Sequence, residues 1–119
     1  MNAHVILALL HIFVVAPALI AVALFRSQTP DWAFQILFAT GLVILLYHGY
    51  KAIWKLNANA SGAWINLIHV FLVAPLLLYI GSKQKMTPRP AFEMLAMAGF
   101  AALGYHLYSL ITMLHLNYE

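Results

Sequence analysis

Histidine is the residue of this chain whose chemistry is hardest to explain away. Six are present. Four of them, His11, His48, His69 and His106, stand inside long apolar runs where leucine would serve packing equally well. An imidazole titrates near neutral pH, so it can take up and release protons, and its neutral form is a common metal ligand. Ionisable groups inside a membrane are rare, face a bundle interior or a water-filled cavity, and mark functional sites. Tyrosines flank two of the four: Tyr47 and Tyr50 beside His48, Tyr105 and Tyr108 beside His106.

Three chemistries suit these eight residues. Histidines at one depth, extended by the tyrosines, make a polar path for protons or ions. Paired imidazoles can instead hold haem b or a transition metal such as copper or zinc, although no carboxylate is placed to support the ligands from behind. Without either role, a neutral imidazole bonding Tyr47, Tyr105 or a backbone carbonyl pins helix to helix, in a purely structural or accessory subunit. Conventional catalysis is not expected. Asp31 and Glu93 belong to the far ends of their runs and Glu119 to the tail, and no Ser-His-Asp set, phosphate loop, HExxH or TVGYG filter is present.

The histidines come in a repeat. His11-Ile-Phe-Val-Val-Ala-Pro17 returns as His69-Val-Phe-Leu-Val-Ala-Pro75, and Tyr47-His48-Gly-Tyr50 as Tyr105-His106-Leu-Tyr108. Residues 11–56 aligned without a gap on 69–114 are identical at 18 of 46 positions, an offset of 58 throughout. The chain is a tandem duplication: repeat 1 covers about 4–56, a linker 57–62, and repeat 2 about 63–116.

Apolar residues make up 65% of the 119 and charged residues 8%, against about 45–50% and about 25% in soluble domains. So short a soluble chain could not hide that surface. Six basic residues scattered between apolar runs exclude a nucleic-acid footprint, and the absence of cysteine excludes disulfides and thiolate sites. The first run lacks a basic leader and matches the third, mid-chain run, so it does not read as a signal peptide.

Four apolar stretches, about 4–25, 32–54, 63–81 and 91–115, each hold roughly the 20 residues a helix needs to cross a bilayer, and lipid forces the crossing backbone to be helical. The predicted fold is an all-α, multi-pass integral membrane protein: a four-transmembrane-helix bundle of two tandem, parallel helical-hairpin repeats, with a pseudo-two-fold axis along the membrane normal. Thr29 is expected to cap the second helix, with Pro30 in its first turn, and Thr87-Pro88 to do the same in the second half. Pro17 and Pro75 are expected to bend helices one and three. Phe34, Leu37, Gly41, Leu45 and His48 line one helix face, as do Phe92, Leu95, Gly99, Leu103 and His106. Gly41 and Gly99 allow close helix approach there.

His48 lies roughly 27 Å beyond Pro30 along a helix, and His11 a similar distance back from the same turn. All four histidines are thus expected as one layer in the half of the bilayer nearer the termini, with His4 and His115 closer to water. Trp32, Trp54 and Trp64 fall at run edges, as an aromatic belt requires. Arg26, Lys83, Lys85 and Arg89 in the hairpin loops outnumber Lys51 and Lys55 on the other side, which points both termini to the extracytoplasmic side. Asn59-Ala60-Ser61 fits a glycosylation acceptor there. The partners expected are the lipid bilayer and further copies of the chain, a homo-oligomer packed through small positions such as Ala21, Ala96, Ala101 and Ala102.

Overall fold

The computed structural model describes residues 2–116 and is all-helical, with no strand among the described residues. Four helices are each long and apolar enough to cross a membrane: α1 (Ala3–Gln28), α2 (Asp31–Asn57), α3 (Ala63–Met86) and α4 (Arg89–Leu116). Their ends follow from local chemistry. Asn2 caps α1, its side-chain oxygen accepting the His4 N–H at 2.8 Å. Asn59 and Gly62, both at positive φ, turn the chain between α2 and α3; at φ 84° only Gly62's lack of a Cβ makes that backbone unstrained.

The expected threonine caps are corrected. Pro30, not Thr29, stands at the N-cap of α2 and gives no side-chain bond. The Thr87 hydroxyl donates backwards to the Gln84 carbonyl at 2.6 Å, with the Ile80 carbonyl farther off at 3.4 Å. A hydroxyl so close to a helix C-terminus finds open carbonyls there before it finds N–H groups ahead.

Prolines 17 and 75 are accommodated by π-turns. Residues His11–Val15 and His69–Val73 widen by one residue, so that the Ala16 N–H bonds the His11 carbonyl and the Ala74 N–H that of His69. A proline in a plain α-helix has no N–H to give and presses on the carbonyl four residues back. A wider turn just before it relieves that contact, and such turns recur at functional sites.

The chain forms two compact units. In one, residues 26–91, α2 packs antiparallel on α3. Gly41 and Gly81 set the approach: a Cβ on Gly41 would meet Leu77 and Leu78 at 3.1–3.2 Å, and one on Gly81 would sit 2.6–2.8 Å from the Phe38 backbone and Cβ. Phe34, Leu37, Leu77 and Ile80 fill the seam. At the loop end, Lys85 donates to the Ser27 and Thr29 carbonyls at 3.1 and 3.0 Å and lies 3.8 Å from the Asp31 carboxylate.

The other unit contains residues 2–25, with most of α1, and residues 92–116 of α4. Here Gly99 of α4 faces α1, and a Cβ on it would meet Ile20 at 2.7 Å and the Ala16 carbonyl at 3.4 Å. Ala16 and Leu19 of α1, and Phe92 and Leu95 of α4, are buried. The contacts Gly41–Leu78 and Gly99–Ile20 correspond at the offset of 58: 99 − 41 = 58 and 78 − 20 = 58. Each unit thus joins a helix of one repeat to a helix of the other.

Candidate functional site: two stacked histidine pairs

Within α1, the π-turn begins on His11. The ring's Nδ1–H donates to the Leu7 carbonyl, one turn back, at 2.8 Å; a carbonyl only accepts, so that nitrogen carries the proton. The ring lies on that of His106 from α4, centres 4.0 Å apart and planes 24° apart. Beside it, Tyr105 meets His106 edge-on at 5.3 Å.

The α2–α3 unit builds the corresponding pair. His69 opens the second π-turn, and its Nδ1–H donates to the Ile65 carbonyl at 2.7 Å. Its ring stacks on His48 of α2, centres 4.0 Å and planes 10° apart. Tyr47 meets His48 edge-on at 5.1 Å. The two pairs match at the same offset: 69 − 11 = 58 and 106 − 48 = 58. All four rings are half-buried.

One branch was not anticipated. Asn66, only 4% exposed, donates from its amide nitrogen to His48 Nδ1 at 2.8 Å and accepts at Oδ1 from the Lys55 ammonium at 2.8 Å. An ammonium has only donors, so the amide orientation is dictated, and with it the neutral state of His48 Nδ1. The signal was present in the sequence: Asn66 is a lone amide inside an apolar run, three residues before His69, and its repeat counterpart is Ala8.

The structure therefore brings together His11 with His106 and Tyr105, and His48 with His69 and Tyr47. Tyr50 and Tyr108 are 68% and 71% exposed, as are His4 and His115 to a comparable class. Two hydroxyls bond their own helices, Thr40 near the middle of α2 to the Ile36 carbonyl at 2.8 Å and Thr112 near the end of α4 to that of Tyr108 at 2.9 Å. Pro17 and Pro75 follow the π-turns, and Gly41 and Gly99 lie in the helix seams.

Haem does not fit between these rings. Two axial imidazoles must point nitrogens at one iron from opposite faces of the macrocycle, whereas rings stacked 4.0 Å apart leave no gap for it. No group of three or more His, Cys, Asp or Glu gathers among the described residues as a metal site would. Comparison with protein-family models gives no match, and neither do comparisons with curated proteins and with solved structures.

Proposed function

We propose that this is a small membrane protein that moves protons, each stacked histidine pair holding and passing a single charge. The observation that carries the reading is the pair geometry itself. Two imidazolium charges 4 Å apart repel by about 4 kcal/mol at an effective dielectric of 20. A pair at that spacing accommodates one proton and resists a second, so it cycles between neutral and singly charged states. The pinning role predicts something else. A histidine kept only to tie helices together would bond the neighbouring helix; His48 does so through Asn66, whereas His11 and His69 donate to carbonyls of their own helices.

Between the pairs and the loop ends the spans are mainly apolar, so in this reading protons reach the pairs through water or through a seam between copies. A homo-oligomer supplies such a seam, and the matched contacts in the two units support a pseudo-two-fold relation between the repeats. The excess of Arg26, Lys83, Lys85 and Arg89 over Lys51 and Lys55 supports loops α1–α2 and α3–α4 on the cytoplasmic side and both termini outside. No catalytic turnover is part of this reading.

A transition-metal redox role stands second. Nδ1–H bonded to a backbone carbonyl is the arrangement that metal-bound histidines adopt, and His11 and His69 both show it. The test that separates the readings uses proteoliposomes with an imposed pH gradient. Wild type collapses the gradient faster than a His11→Phe, His48→Phe, His69→Phe, His106→Phe variant that still folds. Equal rates refute proton movement. A stoichiometric metal in the purified protein, lost in that variant, would favour the metal reading.

A further inference from the structure

Asn66 is a buried polar side chain of the α2–α3 unit, 4% exposed, and its two bonds make a device whose matching positions in the other unit carry different residues. The counterparts of Asn66 and Lys55 are Ala8 and Met113, at 66 − 58 and 55 + 58. Ala8 is as buried as Asn66, at 2% exposed, so the position is equally enclosed, yet carries no donor or acceptor there.

The amide has one oxygen and one NH2 group, and each has a defined partner. Oδ1 faces Lys55 and Nδ2 faces His48 Nδ1. While His48 is neutral this fixes its proton on Nε2. His69, donating Nδ1–H to Ile65, is the opposite tautomer. When His48 takes up a proton, both of its ring nitrogens become donors. Its Nδ1–H then confronts the Asn66 NH2. Turning the amide to offer Oδ1 to His48 points the NH2 at the Lys55 ammonium. Because the two ends of the amide face different partners, the turn that brings Oδ1 to His48 takes it from Lys55. Titratable groups near His48 are His69 from α3, which stacks on it, Tyr47 from its own helix, edge-on to it, and Lys55, which shares Asn66 with it; the one carboxylate residue of the unit, Asp31, stands 17 positions away along α2.

We infer that Asn66 is the positioning residue of the His48–His69 pair: it holds His48 as the Nε2–H tautomer and couples proton uptake on His48 to release of Lys55. The inference deepens the proton-handling role proposed above and rests on it for its meaning in transport. It makes the two pairs unequal. The positions that match Asn66 and Lys55 beside the His11–His106 pair are Ala8 and Met113, whereas the His48–His69 pair takes up a proton only as Asn66 reorients.

Nitrogen-15 NMR of the full chain in phosphatidylcholine bilayers tests this without relying on transport. The His48 signals, assigned by their loss in His48→Phe, show an unprotonated Nδ1 in wild type above the titration range. In Asn66→Ala that Nδ1 signal is lost to a mixture of both tautomers. On acidification of wild type, the Asn66 side-chain amide signal moves with the same midpoint as His48. Where Asn66→Ala does not fold, Lys55→Met serves: with Oδ1 no longer anchored, both His48 tautomers appear. A protonated Nδ1 on neutral His48 in wild type overturns the inference. So does an Asn66 amide signal indifferent to His48 protonation, or an unchanged tautomer in whichever variant folds. If the tautomer results hold while the proteoliposome flux is absent, the transport reading alone fails.

Discussion

His48 lies flat on His69, ring centres 4.0 Å apart, yet the two are held by different means. His69 bonds a carbonyl of its own helix; His48 bonds the buried amide of Asn66 on the neighbouring one. Replacing each with phenylalanine keeps the stack and removes the hydrogen bond. His48→Phe leaves the Asn66 NH2 unpaired in a buried site, which costs about 1–3 kcal/mol. His69→Phe leaves the Ile65 carbonyl with the backbone N–H of residue 69 still bonded to it, so the loss is about 1 kcal/mol or less. Thermal unfolding in detergent should rank His48→Phe as the less stable, and the reverse order would contradict the hydrogen-bond assignment.

The helix seams predict a second ranking. A Cβ on Gly81 meets backbone of Phe38 at 2.8 Å, which cannot move without separating α2 from α3. On Gly41 it meets the Leu78 side chain at 3.1 Å, which can change rotamer. Gly81→Ala should destabilise by about 1–3 kcal/mol, in the range for overpacking, and Gly41→Ala by less. Equal melting temperatures for the two variants would show that the approach at Gly81 is looser than described.

Gln84 adopts φ 52°, ψ −124°, the conformation of a type II′ turn's first central residue, where glycine is favoured. Arg26, its counterpart, also stands at φ 52°. Gln84→Gly should therefore stabilise the protein, by up to about 1 kcal/mol. A lower melting temperature would mean that the Gln84 side chain contributes more than its backbone loses.

The four spanning-length helices were legible because apolar length and turn residues set them locally: Asn57–Gly62 and the Thr-Pro pairs mark the breaks. The faces ending in His48 and His106 were legible from spacing. Three features were not. Thr29 and Thr87 look like N-caps in sequence, but which helix a hydroxyl serves is decided by the turn geometry between helices. The π-turns depend on how the chain relieves Pro17 and Pro75, for which a bend and a widened turn are equally written. The partner of each histidine is a tertiary outcome: depth arithmetic places imidazoles at a level without saying that His11 meets His106 and His48 meets His69. Asn66 was visible as a departure from the repeat, but its role needed Lys55 on the facing helix.

The proposed orientation rests on the loop charges alone and is tested by side-specific labelling. Single cysteines in place of Asn59 and Lys83 should react from opposite sides of sealed vesicles, position 83 from the cytoplasmic side. Labelling of both from one side would contradict four crossings; reversed sides would contradict only the orientation.

The central claim is that the histidine pairs pass protons, and current reversal tests it most directly. Purified protein in a planar bilayer, with equal salt on both sides and pH differing by one unit, should carry a current that reverses at about 59 mV, the value for a single transferred charge per tenfold gradient. The quadruple His→Phe variant should carry none. A wild-type current reversing near zero, or none above the bare bilayer, would contradict the account.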